Sequence, residues 1–224
     1  YPILWMVGNS FTDYTRISRV SPYSFIPSEF DWTNYITGWK GFGSNTFTVF
    51  FRNSFIVTIL TVIGQVSSSA ITAFGFSRIR FRGASFWFKC MITTLMLPQQ
   101  ILIIPQYIVY SKLGWINSFK PLIIPAFFGY PFFIFLMMQF IQGIPMELDE
   151  AAKIDGCNKF SIFFRIILPL IKPAITTAVI FSFYWTWQDF FGPLLFIQSP
   201  DLYTVALALK LFTDPSAVSD WGAV

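Results

Sequence analysis

The chain has 224 residues, of which 54% are hydrophobic, 21% aromatic and only 12% charged, with a net charge of +4 and a mean hydropathy of +0.59. A soluble domain carries about 25% charged residues, and 29 phenylalanines are more than one soluble core of this length can hide. A soluble globular enzyme and a disordered chain are both excluded, and lipid is the solvent that this surface fits.

The absence of histidine removes the commonest general base and metal ligand together. Cys90 and Cys157 have no CxxC spacing and are expected to be unpaired, and no zinc or redox motif exists. Lys and Arg are clustered, which in a membrane protein reports orientation and not nucleic-acid binding. The chain opens at Tyr1 without Met or a basic n-region, so it predicts no signal peptide and reads as a fragment.

In chain order, residues 1–7 are apolar but far short of the ~20 residues a span needs, and read as the end of a truncated helix. Residues 9–50 are polar and aromatic with scattered Pro and Gly, as in Ser21-Pro22 and Ile26-Pro27-Ser28, and predict an irregular aqueous loop with short local elements. Residues 53–76 form a span without charge from Ser54 onward. Gly64 and Ser68 there make a small-xxx-small pair suited to close helix packing. After Arg78, Arg80 and Arg82, a second span covers 84–110, broken by Pro98 and Pro105 with Gln99 and Gln100 between them. Such a break is tolerated where backbone faces protein or water, so the kink sits either beside a translocation path or in a packing contact.

A turn at 113–119 leads to a third span, 121–140, and a polar block over 143–172 precedes a fourth span at 173–191. That span ends in Trp185-Thr-Trp187-Gln188-Asp189-Phe190. A loop around Ser199-Pro200-Asp201, a weaker apolar stretch at 202–212 and a closing Trp221-Gly-Ala-Val224, which reads as the entry to another helix, complete the chain. The architecture expected is an all-α polytopic membrane bundle forming one domain over 1–224, with four complete spans and a truncated first one. The turn holding Arg78, Arg80, Arg82 and Lys89 and the block holding Lys153, Lys159, Arg165 and Lys172 fall on one side when the spans alternate. The positive-inside rule makes that side cytoplasmic and places 9–50, 112–120 and 192–220 outside.

The 143–172 block carries the function. Pro145 suits a first helical position, and Glu147, Asp149 and Glu150 follow where the helix dipole favours acids. Leu148, Ala151, Ala152 and Asp155 share one face. Gly156 is a left-handed stop, and Asn158 can cap a second short helix whose apolar contacts are Phe160, Phe163, Phe164 and Ile167. The expected unit is a cytoplasmic helix–Gly turn–helix, with Ala151 and Ala152 leaving a shallow surface for another protein's groove. An amphipathic loop resting on the bilayer is the alternative, but acids in the opening turns argue for a protein partner.

Glu150-Ala151-Ala152, Gly156, Ile166 and Leu168-Pro169, with their spacing, resemble the EAA loop of the permease subunits of binding-protein-dependent ABC importers. Asn53-Ser54 at the head of a span, the 73–83 exit with Arg78, Leu97-Pro98 and Ile104-Pro105 resemble the carbohydrate-uptake branch and within it the maltose-permease G-type subunit. Trp187-Gln188-Asp189-Phe190 resembles that branch's Trp-Asn-Asp/Glu-Phe segment, with Gln188 in place of the usual Asn. The resemblance covers nearly the whole chain, and the family has six spans, so the last would be missing here.

The resemblance implies a cytoplasmic (inner) membrane protein of a bacterium or archaeon, paired with a homologous second permease, two ATPase subunits and an extracytoplasmic solute-binding protein. ATP and Mg would sit on the partner ATPase, since no GxxxxGK[ST] loop occurs here, and the chain itself would hold no cofactor and catalyse nothing. Glu150, Ala151, Ala152, Asp155, Gly156, Leu168 and Pro169 would form the coupling loop. A side chain larger than Ala at 151 or 152 would lift the helix from its cleft. Gln99, Gln100, Trp187, Gln188 and Asp189 are candidates for the pathway or gate. For Asp189 the nearby Gly192-Pro193 weighs toward local pairing at the span's end. Gln198, Asp201 and Tyr203 match by position the loop that touches the binding protein.

The substrate implied is a sugar or oligosaccharide, and Arg16, Arg19, Lys40 and Arg52 raise an acidic one. A polyamine or phosphate ester is the alternative cargo. A stand-alone secondary transporter would need no coupling helix, and no inverted repeat is visible. An intramembrane enzyme lacks any nucleophile–base set.

Overall fold

The computed structural model describes residues 2–12, 30–40 and 45–212. The features noted at Arg16, Arg19, 21–28 and 221–224, and the side chain of Gln99, lie outside the described residues. In chain order the helices are α1 (Pro2–Asn9), α2 (Thr33–Trp39), α3 (Phe47–Arg78), α4 (Ala84–Leu95), α5 (Gln99–Lys112), α6 (Lys120–Ile123), α7 (Pro131–Gln142), α8 (Met146–Ile154), α9 (Lys159–Ile162), α10 (Leu168–Leu170), α11 (Lys172–Gln188), α12 (Phe191–Phe196) and α13 (Val205–Phe212). The all-helical bundle expected from composition is the architecture found.

The first full span is longer than its charge-free run. α3 has 32 residues, or roughly 48 Å at 1.5 Å each, and it takes Arg52 within its first two turns. Nothing in 47–52 breaks a helix, so a single charge did not end it. Its buried positions Phe50, Asn53, Ser54, Val57, Thr58, Thr61 and Gly64 recur at steps of three and four, which draws one stripe along the helix. That stripe is small and polar, whereas Phe55, Ile56, Ile59, Leu60 and Ile63 are exposed. Small and hydrogen-bonding residues inside with large apolar ones outside is the arrangement lipid selects.

The second span is not one kinked helix. α4 and α5 meet at 105°, because Pro98 is extended at the head of α5 and a residue preceding proline is pushed out of the helical region. Pro105, by contrast, lies inside α5 without ending it. The third apolar run is 23 residues long, Lys120–Gln142, but it changes winding: α6 tightens into a 3₁₀ turn, Ile124–Phe128, and Gly129 at φ +88° resets the chain before α7.

Backbone freed at that break needs partners at membrane depth, and α3 provides them. Thr61 Oγ1 donates to Leu122 O (3.3 Å), Ser68 Oγ to Ala126 O (3.2 Å), and Ser69 Oγ accepts from Tyr130 N (3.0 Å). The small-xxx-small pair has the same neighbour: a Cβ on Gly64 would lie 2.8 Å from the Phe127 ring. The fourth span is α11, followed by extended Asp189 and then α12, so the stretch read as continuous to 191 breaks at 189.

Two cores follow from this layout. The larger joins Ala70, Ala73 and Phe74 of α3 to Phe133, Met137 and Ile141 of α7 and to Ala174 and Ala178 of α11. The smaller, at the opposite end of α3, holds Phe47, Phe50, Val205 and Ala208.

Candidate functional site: a helix-turn-helix at one end and a polar cleft at the other

The polar block folds as a helix, a turn and a second helix. α8 starts at Met146, one residue later than expected, because Pro145 stays extended (ψ 140°) and occupies the cap position. Gly156 turns at φ +82°, a conformation that costs glycine little. Asn158 Oδ1 accepts from Ser161 N at 2.9 Å and caps α9. After α9 the chain winds wider, as a π turn over Phe163–Ile167, before α10. The Lys159–Leu170 stretch is set at 76° to α11.

The face of α8 differs from the one its periodicity suggested. Ala152 is 6% exposed and sits in the larger core, beside Ile162 and Phe163, so it cannot meet a partner. Glu150, Ala151, Asp155 and Gly156 are exposed, as is Leu148. In the second arm Phe163 and Ile167 are buried as expected. Phe160 and Phe164 are exposed, and Ile162 takes the inward position. Leu168 is half-buried and Pro169 exposed at the return toward α11.

What holds this unit to the bundle is a contact that sequence reasoning missed. Arg78 Nε lies 3.2 Å from Asp149 Oδ2, both side chains buried. The same guanidinium donates from Nη2 to Ile144 O (2.6 Å), with Nη1 against Met146 Sδ. A planar fork serving three acceptors is a task for Arg and not for Lys. The available signal was a basic residue closing a span and an acid in the opening turn of α8; read as charge clusters, they pointed to orientation alone. Asp149 Oδ1 has no hydrogen-bond partner, so the carboxylate depends on this one cation.

At the opposite end, a cleft of ≈ 490 Å³ lies between α3, α11 and α12. α3 contributes Thr58, Thr61 and Gln65 and α11 contributes Trp185 and Gln188, with Asp189 just beyond. Gln65 Oε1 accepts from Ser182 Oγ (2.7 Å), tying α3 to α11 beside it. Of the pathway candidates, Gln188 and Asp189 line the cleft. Trp187 does not: it packs on Phe55 (5.0 Å) and stacks on Phe183 (5.5 Å). Gln100 is exposed on α5 and is also absent from the lining. Asp189 Oδ1 accepts from Phe191 N (3.0 Å) and Gly192 N (3.2 Å), capping α12. A Cβ on Gly192 would lie 2.6 Å from Asp189 Oδ2.

The loop after α12 is pinned from three sides. Asn117, at φ +59°, accepts from Gln198 N and Ser199 N (3.0 and 2.9 Å). Asn53 Nδ2 donates to Asp201 O and Tyr203 O (2.7 and 3.1 Å), and Ser54 Oγ accepts from Val205 N (2.8 Å). Asp201 Oδ1 accepts from Asn45 Nδ2 (2.8 Å). The Asn53-Ser54 pair, noted only as part of a resemblance, is the anchor of this loop. Gln198 and Asp201 are exposed and Tyr203 half-buried.

With this geometry in place, the chain's likeness to known proteins can be stated. The family described as "Binding-protein-dependent transport system inner membrane component" matches residues 65–219. The chain is 37% identical along its whole length to the probable ABC transporter permease protein YurM of Bacillus subtilis (strain 168), covering 73% of that protein. It is 30% identical over 96% of its length to the arabinooligosaccharides transport system permease protein AraQ of Halalkalibacterium halodurans, covering 76% of it. Its fold matches, at a TM-score of 0.83 and 22% identity, a bacterial ABC transporter involved in the import of the acidic polysaccharide alginate, over 98% of this chain and 76% of that one. At that identity the likeness is one of fold.

Proposed function

The chain belongs to the family of binding-protein-dependent transport system inner membrane components, and from that premise we propose that it is one membrane-spanning subunit of an ATP-driven sugar or oligosaccharide importer. In this reading a homologous second permease completes the pathway, two cytoplasmic ATPase subunits bind ATP and Mg, and an extracytoplasmic binding protein delivers the solute. This chain conducts and does no chemistry. The names of relatives such as AraQ support the sugar cargo.

The observation that carries the reading is the exposed surface of α8 and its turn. Ile154 is 87% and Phe160 76% exposed, flanking Glu150, Ala151 and Asp155 at the polar end of the bundle. Large apolar side chains standing beside charges outside a lipid-facing belt call for a protein cover. An ATPase cleft that grips α8 would meet a rigid unit, because Arg78 fastens α8 to the end of α3. Closure of the ATPase pair would then pull on α3 and the cleft at its other end, which is the alternating-access step. Sidedness follows: the α8 end is cytoplasmic, and the loop at 198–205 faces the binding protein.

The test is affinity purification of the full-length protein from native membranes in mild detergent, with companions identified by mass. An ATPase and a second, homologous permease are expected. Repeated recovery of the intact chain alone would overturn the reading and restore the stand-alone transporter.

A further inference from the structure

The cleft at the far end of α3 has features that the loop contacts and helix caps do not use up. Thr58 is 1% exposed and Thr204 5% exposed, both line the cleft, and neither hydroxyl has a hydrogen-bond partner. A buried hydroxyl without a partner is a cost to the fold, and buried polar groups are otherwise nearly always satisfied. Two such groups on opposite walls, one from α3 and one from the segment leading into α13, are unsatisfied toward the same space. Gln65 and Gln188 add amide groups, and Tyr130 and Trp185 add aromatic wall. A volume of ≈ 490 Å³ falls within the range of small-molecule sites, which combine apolar walls with a few placed polar groups.

Charge narrows the ligand further. Asp189 is the one charged side chain among the described residues lining the cleft, and no Lys or Arg lines it. A carboxylate or phosphate brought here would meet a like charge without a cation to compensate it, which is costly away from bulk water. Hydroxyls meet donors and acceptors of their own kind. The cations that raised an acidic cargo lie elsewhere: Arg52 and Lys40 do not line the cleft, and Arg16 and Arg19 lie outside the described residues.

We propose that this cleft is a solute site on this subunit that holds an uncharged, hydroxyl-rich unit, a neutral sugar residue, through Thr58 and Thr204, and that it rejects uronates and sugar phosphates. The proposal rests on the importer reading above and names its substrate class. Thr58 and Thr204 touch the solute; Ser182 only positions Gln65.

The experiment uses the full-length chain in its complete transporter, reconstituted in proteoliposomes with the binding protein. ATP-driven uptake is measured for neutral trisaccharides (arabinotriose, galactotriose, maltotriose) and for trimannuronate. At least one neutral trisaccharide is expected to enter and trimannuronate is not. Thr58→Val and Thr204→Val, which keep shape and remove one hydroxyl each, should each lower kcat/KM for uptake about three- to tenfold. Both variants should melt at or above the wild-type temperature, since each deletes an unsatisfied buried group. Hydroxyls that only bind water or the fold would leave uptake unchanged, and that result overturns the site. Uptake of trimannuronate in preference to every neutral sugar overturns the charge argument. A complex that assembles with its ATPases but carries none of these sugars refutes the sugar reading, and the proposal falls with it; a chain that never assembles refutes the importer itself.

Discussion

Arg78 closes α3 and opens the link to α8, and its energetics are lopsided. A buried ion pair contributes little relative to an apolar pair of the same shape, yet losing one partner strands the other charge. Asp149 has no second donor on Oδ1, so Arg78→Ala should destabilise the protein by about 3–5 kcal/mol. Arg78→Lys should recover only part of this, because an ammonium cannot reach Asp149, Ile144 and Met146 together. Thermal unfolding of the purified protein in detergent measures both; an Arg78→Ala variant as stable as wild type would refute the account. Gly64 makes the opposite kind of demand, for absence of atoms. Gly64→Ala drives a methyl into the Phe127 ring, at an expected cost of about 1–3 kcal/mol. The double variant with Phe127→Ala should show a smaller effect of the Gly64 change, and additivity of the two in a double-mutant cycle would show that they do not touch.

At the scale of elements, α8 presents two neighbouring alanines with opposite roles. Ala152 is in the core and Ala151 is outside, so the residue first expected to report on docking reports on folding. Ala152→Trp should fail to fold or fold poorly. Ala151→Trp should insert and melt normally while losing most of the co-purifying ATPase, read by comparing elution profiles and band intensities. Equal ATPase recovery with Ala151→Trp would separate α8 from the docking surface. The broken third run makes a second point about elements. Gly129 and the 3₁₀ turn interrupt a helix at membrane depth, and the hydroxyls of Thr61, Ser68 and Ser69 absorb the cost. The serines of α3 thus serve a neighbour's backbone, not a pore.

Over the whole molecule, the ties sort into two ends. Arg78 reaches Ile144 and Asp149 at one, and Asn45, Asn53 and Asn117 reach the 198–205 loop at the other. This is the grouping that charge clusters and alternating spans require. In a background lacking Cys90 and Cys157, a membrane-impermeant maleimide should label Lys40→Cys on intact cells. Phe160→Cys should be labelled only after the membrane is opened. Labelling of both from the same side would refute the topology.

Much of this was legible in one dimension. Composition alone required lipid as the solvent, the spans were readable within a few residues, and the spacing of Glu150, Ala151, Ala152 and Gly156 located the helix-turn-helix, because turns and caps are local chemistry. Element ends at Phe47 and Asp189, the inward face of Ala152, and the partnership of Arg78 with Asp149 were not legible. Each depends on which neighbour fills the space beside a helix, and residues 71 apart in sequence carry no local sign that they meet. The cleft belongs to this second class as well: Thr58 and Thr204 are ordinary threonines in the sequence, and only the packing of α3, α11 and α12 leaves their hydroxyls buried, unpaired and facing one another's space.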